Sequence, residues 1–261
     1  MSYFIINTAI ANVYREASHN SAVATQALMG ESCQILDHRD KWYLIRQWDS
    51  YEGWMYYFYG IESKTQYKPT MIMQDMFGTV LSPDMEKTVS HLVFGNTLVV
   101  EQRHDGYAIT LPDGRRGFSH SNFGENKKSS NREEIVKTAI RFLGTPYLWG
   151  GKTPYGMDCS GFVQTVFKAV GIELPRDAYQ QAEYFSNNII HKDKIEHGDL
   201  LFFSENDKVT HVAISIGGLN FINARGYVQK ESIDEKSSLF NRNLLDLFLH
   251  AVSIKNMINT Q

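Results

Sequence analysis

Met157-Asp158-Cys159-Ser160-Gly161-Phe162 decides how the C-terminal half of the chain is read. Immediately after it, Phe162, Val163, Val166, Phe167 and Val170 recur at helical spacing, and Gly171 closes the stripe. Cys159 therefore stands at a helix start, behind the loop Trp149-Gly150-Gly151. A thiol placed there feels the positive end of the helix dipole, which favours the thiolate. The neighbouring glycines would let a substrate backbone come close. A lone cysteine is otherwise a small buried hydrophobe, and Cys33, in the run Cys33-Gln34-Ile35-Leu36, is read that way.

A cysteine nucleophile needs a base. Most of the nine histidines sit in polar stretches, but His211 begins Thr210-His211-Val212-Ala213-Ile214-Ser215-Ile216. As a strand this segment puts His211, Ala213 and Ser215 on one face and Val212, Ile214 and Ile216 in the core. The small neighbours of His211 would leave room for a ligand. Gly217-Gly218 then turns the chain back through 219–224. A hairpin centred there sets Asn223 about opposite His211, where it can orient the imidazole; a slip of one residue would turn it to the wrong face. Cysteine, histidine and asparagine on a helix start and paired strands meet the geometric demands of acyl transfer.

Upstream, Ile135, Ala139, Phe142 and Leu143 predict a helix ended by Gly144-Thr145-Pro146. With strand-like runs at 200–203, 210–216 and 219–224, the C-terminal part is α+β, helices packed on an antiparallel sheet. The polar segment 124–132 (GENKKSSNR) is the expected linker. Before it the chain is β in character. Short runs at 11–14, 33–36, 42–46 and 53–55, separated by polar turns, predict a small barrel. The pattern then recurs: Met29-Gly30-Glu31, Asp40-Lys41-Trp42 and Glu52-Gly53-Trp54 are matched by Phe94-Gly95-Asn96, Asp105-Gly106-Tyr107 and Arg116-Gly117-Phe118. Such a repeat implies two similar barrels, 1–64 and 65–125, ahead of a third domain at 126–261.

Composition bounds the function. The 261 residues are 43% hydrophobic and 21% charged, ordinary for a globular protein and incompatible with long disorder. Fourteen Tyr, 15 Phe and 4 Trp suit compact β domains or peptide clefts. A net charge of −3 supplies no basic field for nucleic acid or an anionic membrane. No apolar run approaches the ~20 residues of a membrane span. Residues 1–14 carry no positive charge before Arg15, so the basic start of a secretory signal is missing and a cytoplasmic location is expected. Two cysteines make neither a disulfide framework nor a four-cysteine zinc site, and no HExxH motif occurs, so no metal or organic cofactor is expected.

Five blocks carry a resemblance: Gly144-Thr145-Pro146-Tyr147-Leu148-Trp149-Gly150-Gly151; Asp158-Cys159-Ser160-Gly161-Phe162; Leu174-Pro175-Arg176-Asp177 with Gln180-Gln181; His197-Gly198-Asp199-Leu200-Leu201-Phe202; and Thr210-His211-Val212-Ala213-Ile214. In this order they resemble the NlpC/P60 cysteine peptidases, whose domain is papain-like, and the two repeats resemble bacterial SH3-type barrels. The combination is similar to the murein-recycling γ-D-glutamyl-L-diamino acid endopeptidases of the YkfC type. The resemblance implies Cys159 as nucleophile, His211 as general base and Asn223 as third polar residue, a position often held by histidine. Asparagine orients the ring but carries no charge.

By the same resemblance the Tyr147 hydroxyl joins the Cys159 backbone N–H in an oxyanion hole; otherwise Tyr147 packs behind a proline turn. Asp177 meets the substrate ammonium and Ser160 the D-glutamyl carboxylate. Asp158 flanks the nucleophile or only caps the helix, and Arg176 serves the carboxylate or lies at the surface. From the first barrel, Glu31 and Tyr51 read the free amino terminus, although barrel turns are rich in such residues. The implied substrate is a murein tripeptide with free L-alanine and meso-diaminopimelate, or lysine, as diamino acid. Two other readings stay open: an amidase or acyltransferase using the same triad, and a wall-peptide-binding protein.

Overall fold

A computed structural model describes residues 2–125 and 131–258, and most of the expected linker at 124–132 lies outside the described residues. The chain divides into two compact units, 1–126 and 127–261.

The first unit holds two seven-stranded antiparallel sheets, spanning Tyr3–Ile6 to Gly60–Ser63 and Met71–Met73 to Phe123–Gly124. Counted in chain order within each sheet, the strands lie side by side as third, second, sixth, fifth, fourth, first, seventh in both. Each closes on its own core, Phe4, Ile6, Val13, Cys33, Ile45 and Met55 in one, Met73, Val80, Leu92, Leu98 and Ile109 in the other. The repeat extends to single hydrogen bonds. Gly30 and Gly95 take φ +87° and +89°, a region open to glycine. The residue after each locks the turn with its side chain: Glu31 accepts from Leu28 N–H at 3.0 Å and Asn96 from Val93 N–H at 2.9 Å. A Cβ on Gly30 would also sit 1.7 Å from the Thr97 carbonyl, where Thr97 N–H donates to Met29 O at 2.9 Å. Gly30 is thus where the two sheets meet within the unit.

In the second unit, α1 (Arg132–Ile140), α2 (Cys159–Ala169) and α3 (Ala178–Tyr184) pack against a six-stranded antiparallel sheet, while α4 (Arg242–Leu247) adds a turn before its last strand. The strand order is Ile189–Ile190, Phe248–Val252, Leu200–Glu205, Lys208–Gly217, Asn220–Arg225, Tyr227–Ser232. α1 is shorter than its apolar spacing predicts: it ends at Ile140, and 141–144 are turns in which Phe142 is buried and Leu143 exposed. The sheet is covered on both faces. Leu201, Phe203, Ala213, Phe221 and Ala251 join Ile195, Ile233 and Leu244 in one core. The alanine beside His211 therefore leaves no ligand space; Phe203 and Phe221 occupy it. α3, α4 and the strands Tyr227–Ser232 and Phe248–Val252 add elements beyond the sequence-derived set. Among the described residues no helix is long and apolar enough to cross a membrane.

Candidate active site

α2 begins at Cys159 because Asp158 caps it. Asp158 is extended, with φ −88° and ψ 176°, and its Oδ1 accepts from Gly161 N–H at 2.7 Å. The same carboxylate accepts from Gly150 N–H at 2.9 Å, and Ser160 Oγ donates to it at 3.2 Å. Arg176, 1% exposed, completes the cluster: Nη1 reaches Asp158 Oδ1 and Ser160 Oγ, both at 3.0 Å, and Nη2 reaches Asp158 Oδ2 at 2.5 Å. Asp158, Ser160 and Arg176 thus satisfy one another behind the nucleophile. They lock the glycine loop to the first turn of α2, and Arg176 is not a surface residue. The glycines serve the same packing: a Cβ on Gly161 would lie 2.2 Å from the Gly151 carbonyl. That close approach is within the protein.

The thiol lies against the strand that carries the base. Cys159 Sγ is 4.0 Å from Thr210 O, and the N–H groups of Val212 and Ser160 favour the thiolate. Burial and the Asp158 carboxylate outweigh these and the Arg176 charge, pushing the thiol up to about 11. The helix start therefore does not make a resting thiolate, contrary to the expectation from the dipole: desolvation of a buried sulfur is the larger effect. Burial likewise lowers the His211 pKa, against the raising influence of Asn223 and Glu231. Burial thus disfavours the charged form of both members of the pair.

His211 Nε2 and Asn223 Oδ1 are 2.8 Å apart. The pairing Ile214↔Ile222 and Ser215↔Phe221 places Asn223 across from Ala213, two residues from the position opposite His211. A shift of two keeps the face, so the contact is diagonal and still within reach. With Nε2 engaged by Asn223, Nδ1 is the nitrogen left to take the thiol proton. Sequence reasoning missed the next residue out: Glu231, buried, accepts from Asn223 Nδ2 at 2.9 Å. The run Tyr227-Val228-Gln229-Lys230-Glu231 does not alternate apolar and polar residues, so no local pattern marks Glu231 as buried.

Tyr147 is pinned on both sides, its N–H donating to Gly226 O at 2.8 Å while its neighbour Leu148 donates to Met157 O at 3.0 Å. Partial burial, and after it the charge of Cys159 when ionised and that of Asp158, raise its hydroxyl to about 12. It stays a proton donor beside the thiol. Asp177 caps α3 in a capping box, its N–H donating to Gln180 Oε1 at 3.0 Å, and Gln181 Nε2 ties that helix to Ser160 O and Pro175 O. Glu31 and Tyr51 belong to the other unit. Glu31 is buried, one oxygen on Leu28 N–H and the other on the Trp48 indole N–H at 3.0 Å, so it acts as a turn lock like Asn96. Tyr51 N–H donates to Asp49 Oδ1 at 3.1 Å.

A buried thiol at a helix start, an imidazole paired with a buried amide and a phenol close by are the parts that an enzyme transferring acyl groups through a cysteine needs. Comparison with known proteins agrees. The NlpC/P60 family model matches residues 144–244, and the bacterial dipeptidyl-peptidase SH3 domain matches 13–56. A γ-D-glutamyl-L-lysine dipeptidyl-peptidase of Bacillus cereus is 30% identical, covering 77% of this chain and 66% of its own length. The chain spans just under two thirds of that relative. Dipeptidyl-peptidase 6 of Lysinibacillus sphaericus is 28% identical over 92% of this chain and 95% of its own. A crystal structure of an NlpC/P60 family protein from Bacillus cereus shares the fold, with TM-score 0.81, 20% identity, and coverage of 97% of this chain and 99% of that one. The chain belongs to the NlpC/P60 family.

Proposed function

We propose that the protein hydrolyses the bond between a γ-D-glutamyl carbonyl and a diamino acid in murein peptides that begin with free L-alanine. The observation that carries this reading is the Cys159 thiol held against Thr210 and Val212, on either side of an imidazole fixed by Asn223. The specificity rests on the relatives, two of which are named for γ-D-glutamyl-L-lysine dipeptides.

In this reading His211 Nδ1 takes the Sγ proton as sulfur attacks the carbonyl carbon. The oxyanion is met by the Cys159 N–H and the Tyr147 hydroxyl. Collapse breaks the C–N bond, and His211 returns the proton to the leaving amine. Water, deprotonated by His211, then cleaves the thioester and frees L-Ala-D-Glu. Asp177, at the part-exposed start of α3, is proposed to read the substrate ammonium. The proposed division of labour is two barrels, 1–64 and 65–125, serving a peptidase domain at 126–261, in cytoplasmic recycling of wall peptides.

Mass spectrometry of L-Ala-γ-D-Glu-L-Lys and its meso-diaminopimelate counterpart, each free and N-acetylated, tests the reading. Free diamino acid is expected from the unblocked peptides alone. Equal cleavage of the acetylated forms would remove the amino-terminal requirement, and no release from any peptide would overturn the assignment. Tyr147→Phe is expected to lower kcat by roughly 10²-fold with little change in KM, because it removes one donor that acts on the oxyanion. An unchanged kcat would discard its role.

A further inference from the structure

We infer that Glu231 is a positioning residue of the catalytic machinery: through Asn223 it sets the tautomer of His211. The inference rests on the peptidase reading for its kinetic consequence, but its structural content stands apart from any substrate.

Glu231 and Asn223 lie on adjacent strands in the register Phe221↔Glu231 and Asn223↔Gln229. They are diagonal neighbours on one face of the pair. Asn223 is 0% exposed and Glu231 8%. An amide in such a place has two ends of opposite character, and its neighbours decide which way it points. A carboxylate only accepts, so the end of Asn223 facing Glu231 Oε2 at 2.9 Å is the NH2 group. Its Oδ1 must then face His211 Nε2, at 2.8 Å. An oxygen acceptor there requires the proton to sit on Nε2. Nδ1 is left with its lone pair, the state a general base needs.

Glu231 is itself held from the far side. Asn241 Nδ2 donates to Oε1 at 2.6 Å, and the Arg225 guanidinium lies 3.5 Å from the same oxygen. Asn241 cannot turn over freely, because its Oδ1 caps α4 by accepting from Leu244 N–H at 3.1 Å. The polarity of the chain therefore runs one way, from the α4 cap through Glu231 and Asn223 to the imidazole. Glu231 also returns the negative charge that asparagine at the third position lacks. It raises the His211 pKa, opposing burial, and so favours the imidazolium that forms during attack.

Glu231→Gln makes the inference testable. A carboxamide offers one acceptor, and two donors converge on the Asn241 side, so its oxygen goes there and its NH2 turns to Asn223. Asn223 must then present oxygen to that NH2 and its own NH2 to His211. The ring is driven to the Nδ1–H tautomer. Ring nitrogen correlation spectra of 15N-histidine protein, with the His211 signals assigned by their loss in His211→Ala, report this directly. Wild-type protein is expected to show Nε2–H and Glu231→Gln to show Nδ1–H, with kcat lower by roughly 10²-fold or more and KM little changed. In an Asn223→Ala background the second substitution is expected to cost less than threefold, since the connection is already cut.

Nδ1–H in the wild type would overturn the inference without recourse to any variant, which covers the case in which Glu231→Gln does not fold. A retained Nε2–H signal in folded Glu231→Gln would overturn it as well, as would an equal loss of kcat with and without Asn223. Should no murein peptide be cleaved, the substrate reading fails while the tautomer spectra still decide the role of Glu231.

Discussion

Cys159→Ala is expected to abolish hydrolysis, by more than about 10³-fold in kcat, while leaving the melting temperature close to that of the wild type. The substitution removes one sulfur atom from a site whose hydrogen bonds are carried by Asp158, Gly150, Gly161 and Arg176. The wild-type thiol is expected to behave unlike that of a preformed thiolate–imidazolium pair. Alkylation by iodoacetamide tracks the thiolate fraction, and burial beside Asp158 pushes the thiol up to about 11. The rate should still be climbing about tenfold per pH unit at pH 9. A plateau between pH 5 and pH 8 would show an ion pair and overturn the neutral resting state. His211 supplies the acid limb. Its pKa is lowered by burial, so protonation removes the base only below the ordinary imidazole value of about 6.5, and kcat/KM should hold down to that pH before falling.

That Cys159 and His211 come together was legible in the sequence because each residue announces itself locally. Cys159 follows a capping aspartate at the head of an apolar helical stripe, and His211 opens an alternating strand. The repeat in the first unit was legible for a related reason. A left-handed glycine followed by a side chain that locks its own turn recurs at Gly30-Glu31 and Gly95-Asn96, a signal independent of core composition. The same recurrence sets Glu31 in the turn-locking position that Asn96 holds in the second repeat.

Longer-range relations were not legible. The hairpin turns at Gly218-Leu219 and carries a one-residue register shift between Ser215 and Gly217, and the two together set Asn223 across from Ala213, two places from the position opposite His211 and on the same face. Alternation fixes the face of a strand but not its stagger. The resting charge of Cys159 depends on a contest between helix N–H groups and desolvation, and only packing shows that the sulfur is enclosed. Arg176 and Asp158 are charged residues whose burial no local pattern reveals. Their pairing needs α2 and the segment before α3 to be laid together in space.

That pairing has the largest expected effect on stability. Arg176→Met removes the guanidinium from a pair in which the Arg side chain is 1% exposed and the Asp 10%. Asp158 would keep Gly150 N–H, Gly161 N–H and the Ser160 hydroxyl but lose its buried counter-charge. Breaking one partner of such a pair costs about 3–5 kcal/mol, a fall in melting temperature on the order of 10 °C for a unit of this size. The loss should be confined to the C-terminal unit, and a cycle with Asp158→Asn should show strong coupling, because neutralising the carboxyl removes the charge that Arg176 compensates. If Arg176 instead bound the substrate carboxylate, the outcome would be inverted: KM would rise, the melting temperature would stay, and Asp158→Asn would add its own effect independently. The two roles place the same guanidinium against different carboxylates, and a melting curve beside a KM separates them.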